Sequence, residues 1–372
     1  MSVTPFILLA LIYKICEVQS HEYYKAGFDY PYEFLDDEER SFREEFGREK
    51  RSNHPNCPGE ILRINNGSAA RENQFPFVVA LMRWETYPKI TDQFCVGTLL
   101  TLSFVLSACH CLVEGEIKYP HTVVEPPSID ILAGAVDLLS YTQDRKKVEG
   151  CGQVREAWDI FIHPKCSYQN NELVKDFGLI KTKTPFISTP QGCMKPKHFP
   201  ADQPDHREVV NNMTENEEFC VTMGWGLDAE GFASSWLKTM SMTLKPAKWC
   251  KEKILDVTKD QVGGPDIFQS DANICALGCE EGETICMGDS GGPLLCGPSR
   301  EFVGVASFGP GNASCGNDTI PFVFGRIDGH EYWIWAKIHN ESKHDSASIL
   351  NFHARSMVIM AMVLVIKDTL IL

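Results

Sequence analysis

Cysteine sets the first limit on what this chain can become. It carries fifteen cysteines in 372 residues, a usage that reducing compartments rarely show outside metal sites. Zinc sites favour Cys-x-x-Cys pairs. The only close pair here is Cys109 and Cys111, and it brackets His110. A disulfide-stapled protein of an oxidising compartment is the primary reading, and zinc held by His110 and its flanking cysteines the lesser one. The start of the chain agrees. "FILLALIY" (6–13) is a short apolar run, and "VQS" (18–20) offers small residues before His21, so residues 1–20 read as a secretory signal peptide. Five Asn-x-Ser/Thr sequons, at Asn66, Asn212, Asn312, Asn317 and Asn340, are expected surface glycosylation sites in a secreted chain. A net charge of −15 argues against nucleic acid, whose phosphates need a basic face.

Residues 21–63 form an acidic, charge-rich stretch poor in aliphatics, which reads as a propeptide without a core of its own. From Ile64 the texture changes to short apolar, β-rich runs such as "FPFVVALMRW" (75–84) and "REFVGVASFG" (300–309), punctuated by Gly, Pro, Asn and Asp. Many short strands with turn signals predict an all-β sandwich or barrel. One helix is expected at "EYWIWAKI" (331–338), with Trp335 and Ile338 on a shared face. Residues 341–372 form an extension ending in ten apolar residues, Met357 to Ile366, with Lys367 and Asp368 after them. That is too short to span a bilayer as a helix. Small residues Ser346 to Ser348, a spacer and the apolar tail have the layout of a lipid-anchor signal, and a membrane enters only if the tail is one.

A serine in "GDSGGP" (288–293) is the clearest chemical signal. A hydroxyl is a weak nucleophile near neutral pH and needs a base within hydrogen-bond reach, itself oriented by a third group. It also needs N–H donors where oxyanion charge develops. "VLSACHCLV" supplies His110 upstream, and "KDFGLIK" places Asp176 at the start of an apolar strand. The chain order His, Asp, Ser excludes the α/β-hydrolase arrangement, in which acid and histidine follow the serine.

These residues resemble the trypsin/chymotrypsin-like serine proteases, from about Ile64 to about Ile338. "LSACHC" is similar to the family's "TAAHC", "KDFGLIK" to "NDIALLK", "MGWG" (223–226) to "SGWG", and "GDSGGPL" is unchanged. The resemblance implies two six-stranded antiparallel β-barrels with a C-terminal helix, a protease domain over 64–340, and no cofactor. It implies that His110 is general base and then general acid, that Asp176 holds its imidazole, and that Ser290 attacks the scissile carbonyl. The N–H groups of Gly288 and Ser290 would form the oxyanion hole. It also implies disulfides Cys95–Cys111, Cys220–Cys296, Cys250–Cys275 and Cys286–Cys315, with Cys57–Cys193 tethering the propeptide. Cys109, Cys151, Cys166 and Cys279 are left with three pairings open, and Cys16 belongs to the signal peptide.

"EILRINNGSAA" resembles the activation site. Cleavage after Arg63 would free Ile64, whose ammonium would pair with Asp289, so an arginine-cleaving activator is an implied partner, beside protein or peptide substrates and protease inhibitors. Trypsin-like members carry an acid six residues before the nucleophile; Thr284 stands there, with Glu283 adjacent. A neutral floor disfavours a buried Arg or Lys. Ser307, Phe308 and Gly309 would form one pocket wall, and Phe322 with Ile285 would narrow the pocket to small or medium aliphatic side chains. Cleavage after Leu, Phe or Tyr is the variant if Phe322 swings out. The alternative to an enzyme is a catalytically silent binding protein on the same fold.

Overall fold

In a closed sheet every strand pairs on both edges, so none is left as a free edge. The computed structural model describes residue 57 and residues 68–83, 93–139, 151–169, 172–188, 192–199, 206–228, 231–258, 268–279, 285–309 and 319–341. Six of its strands close the first barrel: β2 (Val78–Arg83), β3 (Gln93–Thr101), β4 (Phe104–Ser107), β5 (Ile129–Ala133), β6 (Gln153–Ile162) and β9 (Gly178–Thr182), in the ring order β2-β3-β4-β9-β6-β5. A two-stranded hairpin, β7 (Ser167–Gln169) with β8 (Glu172–Val174), stands between β6 and β9. The second barrel is built from β10 (Phe219–Gly224), β11 (Lys238–Lys245), β12 (Asn273–Gly278), β13 (Pro293–Cys296), β14 (Glu301–Phe308) and β15 (Phe322–Arg326). It runs β11-β10-β13-β14-β15-β12 and closes through the β11–β12 pairing. Strand β1 (Ser68–Ala69) adds to β11, with Ala69 opposite Lys238. The expected pair of six-stranded antiparallel barrels is thus present.

Helices α1 (His206–Glu215), α2 (Ala247–Thr258) and α3 over 331–341 lie outside the barrels. Helix α3 turns a different face inward from the one its sequence suggested. Ile334 and Ile338, four residues apart, are buried, while Trp335 faces outward and stacks on His339 at 3.8 Å. The i, i+4 pair of isoleucines forms the tighter apolar stripe, and Trp335 lies off it.

The cysteines correct one assignment. The structure joins Cys95 to Cys111, Cys220 to Cys296 and Cys250 to Cys275. Cys57, however, is joined to Cys279, and Cys193 to Cys151, so the Cys57–Cys193 tether is not formed. The reason is proximity. Cys151 and Cys193 converge on the turn at Gly134 after β5, on the first barrel, where both their carbonyls crowd the position a Cβ of Gly134 would take. Cys279 sits on the second barrel, its N–H bonded to Ser241 of β11. Each pair brings its Cα atoms to 5.8 Å, inside the range a disulfide needs. The remaining pair is Cys109–Cys166. Cys286 is disulfide-bonded, and Cys315 lies outside the described residues, as do Cys16, the signal peptide, all of the propeptide but Cys57, Asn66, Asn312, Asn317 and the tail after residue 341. Asn212 and Asn340 are exposed on α1 and α3.

A buried ion pair locks the end of β15. Arg326 donates to both Asp328 oxygens, at 2.9 and 2.7 Å, and also to Asn211 Oδ1 of α1 and to the Ser270 carbonyl. Removing one partner strands the other's charge, which costs about 3–5 kcal/mol. Urea unfolding of the uncut chain should show Asp328→Ala destabilised by about that much. Asn211→Ala, which removes a single acceptor, should cost only about 1–2 kcal/mol.

Candidate active site

His110 sits in a single 3₁₀ turn, Cys109–Cys111, that follows β4. Disulfides fasten both of its neighbours: Cys111 to Cys95 on β3, and Cys109 to Cys166 at the foot of the β7–β8 hairpin. That hairpin leads through Lys175, whose φ is +53°, into Asp176. The turn and the end of the hairpin therefore meet by construction. His110 donates its backbone N–H to Asp176 Oδ1 at 2.9 Å, and its Nδ1 lies 2.7 Å from Asp176 Oδ2. The carboxylate partner assigns the proton to Nδ1 and leaves Nε2 as the acceptor.

Asp176 is fully buried, yet it is well supplied with donors. Beyond His110, the Ser307 hydroxyl donates to its Oδ2 at 2.5 Å. Burial alone pushes this carboxyl up, but the His110 charge, the His110 ring bond, the Ser307 bond and the His110 N–H together hold it below the usual range. Burial likewise pushes the His110 imidazole down, and the Asp176 charge and hydrogen bond overcome it, so the net direction is upward. The imidazole keeps part of its surface open, with 23% of the side chain exposed, so the pair has one buried end and one accessible end.

The Ser290 loop approaches from the second barrel. The Ser290 carbonyl accepts from Val96 N–H of β3 at 2.8 Å, and the same carbonyl lies 3.8 Å from Cys111 Sγ, itself 3.8 Å from His110 Nε2. Gly291, with φ +85°, follows immediately, and a Cβ there would collide with Ser107 Oγ and the Val96 carbonyl. Only glycine lets the loop come this close to the first barrel. No hydrogen bond joins the Ser290 hydroxyl to His110 among the described residues, and such bonds commonly tighten only around substrate. Two N–H groups of the loop, those of Gly288 and Ser290, have no protein acceptor among the described residues, whereas Asp289 N–H is bonded to Cys286 O and Gly291 N–H to Ala306 O.

Asp289 points away from this face. Its carboxylate accepts from Gly226 N–H at 2.7 Å and Cys286 N–H at 3.0 Å, in a cradle of Gly224 and Gly226 that any side chain would fill. Burial pushes it up to about 6, against the pull of those two N–H groups and of Lys238.

The expected pocket residues lie on neighbouring strands, Phe308 of β14 pairing with Val323 of β15 beside Phe322. Ile285 and Phe322 are both buried in one apolar cluster inside the second barrel, where the Phe322 ring meets Phe324 edge-on at 5.5 Å. Phe308 and Gly309 are half-buried at the end of β14, and Phe308 packs against two clusters, one around Cys250 and one around Cys109–Cys166. Ser307, expected as pocket wall, donates its hydroxyl to Asp176. Glu283 and Thr284 lie outside the described residues. Sequence reasoning missed the Ser307 contact and a buried glutamine, Gln93, that reaches Gly288. Neither residue type signals such a role in a string of letters. The residues that could gather around a metal, Cys95, His110, Cys111 and Cys109, Cys166, Asp176, offer no thiolate, because all four cysteines are in disulfides.

Known proteins share this arrangement at the level of sequence. Ovochymase of Halocynthia roretzi is 26% identical over 290 residues, covering 76% of this chain and 15% of its own length. Clotting factor C of Tachypleus tridentatus is 27% identical over 291 residues, 76% of this chain and 26% of its length. The chain thus spans about a quarter or less of these two relatives. Lectizyme of Glossina austeni is 27% identical over 284 residues, 75% of this chain and 87% of its own. The family model described as Trypsin matches residues 64–334, most of the chain and both barrels, so this protein belongs to the trypsin family of serine proteases.

Proposed function

We propose that the chain is a secreted serine endopeptidase made as an inactive precursor. His110, Asp176 and Ser290 are its triad, and Gly288 and Ser290 supply the oxyanion hole. The observation that carries this reading is the His110–Asp176 pair at 2.7 Å, facing a serine loop whose Gly288 and Ser290 N–H groups have no acceptor among the described residues. Ser290 attacks the scissile carbonyl as His110 Nε2 takes its proton. The buried Asp176 charge steadies the imidazolium, and the two N–H groups receive the oxyanion. His110 then returns the proton to the leaving amine, and water repeats the cycle on the acyl-enzyme. Six disulfides among the described residues favour an oxidising compartment for this chemistry.

The position of β1 supports activation by cleavage. Ala69 and Gly224 flank Lys238 on opposite sides, so they stand about 10 Å apart, two strand spacings. Ile64 precedes Ala69 by five residues, a reach of up to roughly 17 Å. Cleavage after Arg63 by an arginine-specific protease gives Ile64 an ammonium able to reach Asp289, beside Gly224. The pair offsets the desolvation of both charges only when both are present. Residues 21–63 act as the propeptide, and the Cys57–Cys279 bond keeps its last part attached after the cut.

Specificity is non-tryptic. In this reading Ile285 and Phe322, both apolar and buried, narrow the pocket, and Thr284 offers no charge to pair with Arg or Lys. Small or medium aliphatic residues fit best. After cleavage at Arg63, a fluorophosphonate probe should label the chain at Ser290 and leave Ser290→Ala unlabelled. Absence of labelling on a correctly cut chain supports a silent binding protein instead. A peptide library should show turnover strongest after Ala or Val; strongest turnover after Arg overturns the pocket reading.

Asp289 gives a separate handle on the precursor. Its folded carboxyl titrates at about 6 against an ordinary 3.8, a gap worth about 3 kcal/mol. The folded state holds the proton longer, so the uncut chain loses this stability as pH rises from 3.8 through 6. Between about pH 3.5 and about pH 6.5, urea unfolding of Asp289→Asn should therefore improve relative to the parent by about that much. Cutting after Arg63 should shrink the difference, because the arriving ammonium favours the ionised carboxylate.

A further inference from the structure

Gln93 opens β3 and is buried. Its Nε2 donates to Gly288 O at 2.7 Å and to Cys95 O at 3.0 Å. The first bond crosses from the first barrel to the loop that carries Ser290. Asp289 N–H, at the other end of the same peptide unit, donates to Cys286 O at 3.1 Å. Both polar groups of the Gly288–Asp289 peptide are thus held. A peptide unit is planar, so holding both groups fixes its plane. The N–H groups of Gly288 and Ser290 flank that plane, and neither has a protein acceptor among the described residues. Gly288 has φ +99°, a region open to glycine, and glycine by itself would leave the loop other conformations. Gln93 closes that choice from one side. A Cβ on Gly288 would sit 3.0 Å from Gln93 Oε1 and 3.0 Å from Gly226 Cα.

We infer that Gln93 is a positioning residue for the oxyanion site: its amide pins the Gly288 carbonyl so that the Gly288 and Ser290 N–H groups point together at the reacting oxygen. The inference rests on the catalytic reading above. Gln93 touches no reacting atom, so its removal weakens the aim of two donors and deletes neither. The loss should fall below that for deleting a donor outright, at roughly ten- to a hundredfold in kcat. Substrate side chains are held elsewhere, so KM should stay within about threefold. An interaction made only in the transition state has this signature.

The test uses the full chain cut after Arg63, as parent and as Gln93→Met, which keeps an unbranched side chain of similar length and removes the donor. We expect kcat to fall by roughly ten- to a hundredfold, KM to hold, and affinity for a peptide boronic acid to fall by the same factor as kcat/KM. A kcat within twofold of the parent overturns the inference, as does a loss carried by KM with boronic acid affinity unchanged. If Gln93→Met fails to fold by thermal melting, Gln93→Ala is read by the same criteria. The two readings fail differently. A parent chain that neither labels nor turns over substrate sinks the catalytic reading, whereas an active parent matched by an equally active variant sinks only the role of Gln93.

Discussion

A carboxylate with no access to water must find its donors within the protein, and Asp176 finds them on both barrels. His110 supplies two, from the turn after β4 on the first barrel, and Ser307 supplies the third, from β14 on the second. An unpaired charge at this depth would cost several kcal/mol. The two barrels must therefore meet in one register for Asp176 to remain ionised. The ionised Asp176 in turn fixes the tautomer and the orientation of the imidazole. The reactive geometry and the packing of the two halves are one constraint.

Strand β3 is the second half of that constraint. Within four residues, Gln93 holds the Gly288 carbonyl, Cys95 is covalently joined to the residue after His110, and Val96 holds the Ser290 carbonyl. One strand of the first barrel thereby aligns the histidine turn with the serine loop. The glycines of "GDSGG" serve this approach. Gly291 could not carry a side chain against Ser107 and Val96. The loop stays glycine-rich for contact, and hydrogen bonds from β3 remove the freedom that glycine would otherwise give it.

The disulfides divide along similar lines. Cys95–Cys111 and Cys109–Cys166 brace the two sides of His110, while Cys57–Cys279 ties Cys57 to the second barrel beside β11. Cys279 bonds to Ser241, and β1 meets β11 two residues earlier, at Thr239. The Cys57–Cys279 bond and β1 therefore reach neighbouring positions on β11.

Much of this was legible in the letters alone. The order of His110, Asp176 and Ser290, the glycines around the serine and the short β-rich runs carry the family, because a nucleophile, a base and an orienting acid need those residue types whatever the distances. The barrel topology came with that family resemblance, since strand runs alone leave a sandwich and a barrel equally open. Contacts between residues far apart in the chain were another matter. The partner of Cys57, the inward face of α3, the hydroxyl of Ser307 on Asp176 and the amide of Gln93 on Gly288 were decided only in three dimensions. The physical reason is common to all four. A disulfide, a packed helix face and a buried hydrogen bond each depend on two groups coming within a few ångströms, and sequence records a residue's chemistry without recording which distant group the closed barrels bring beside it.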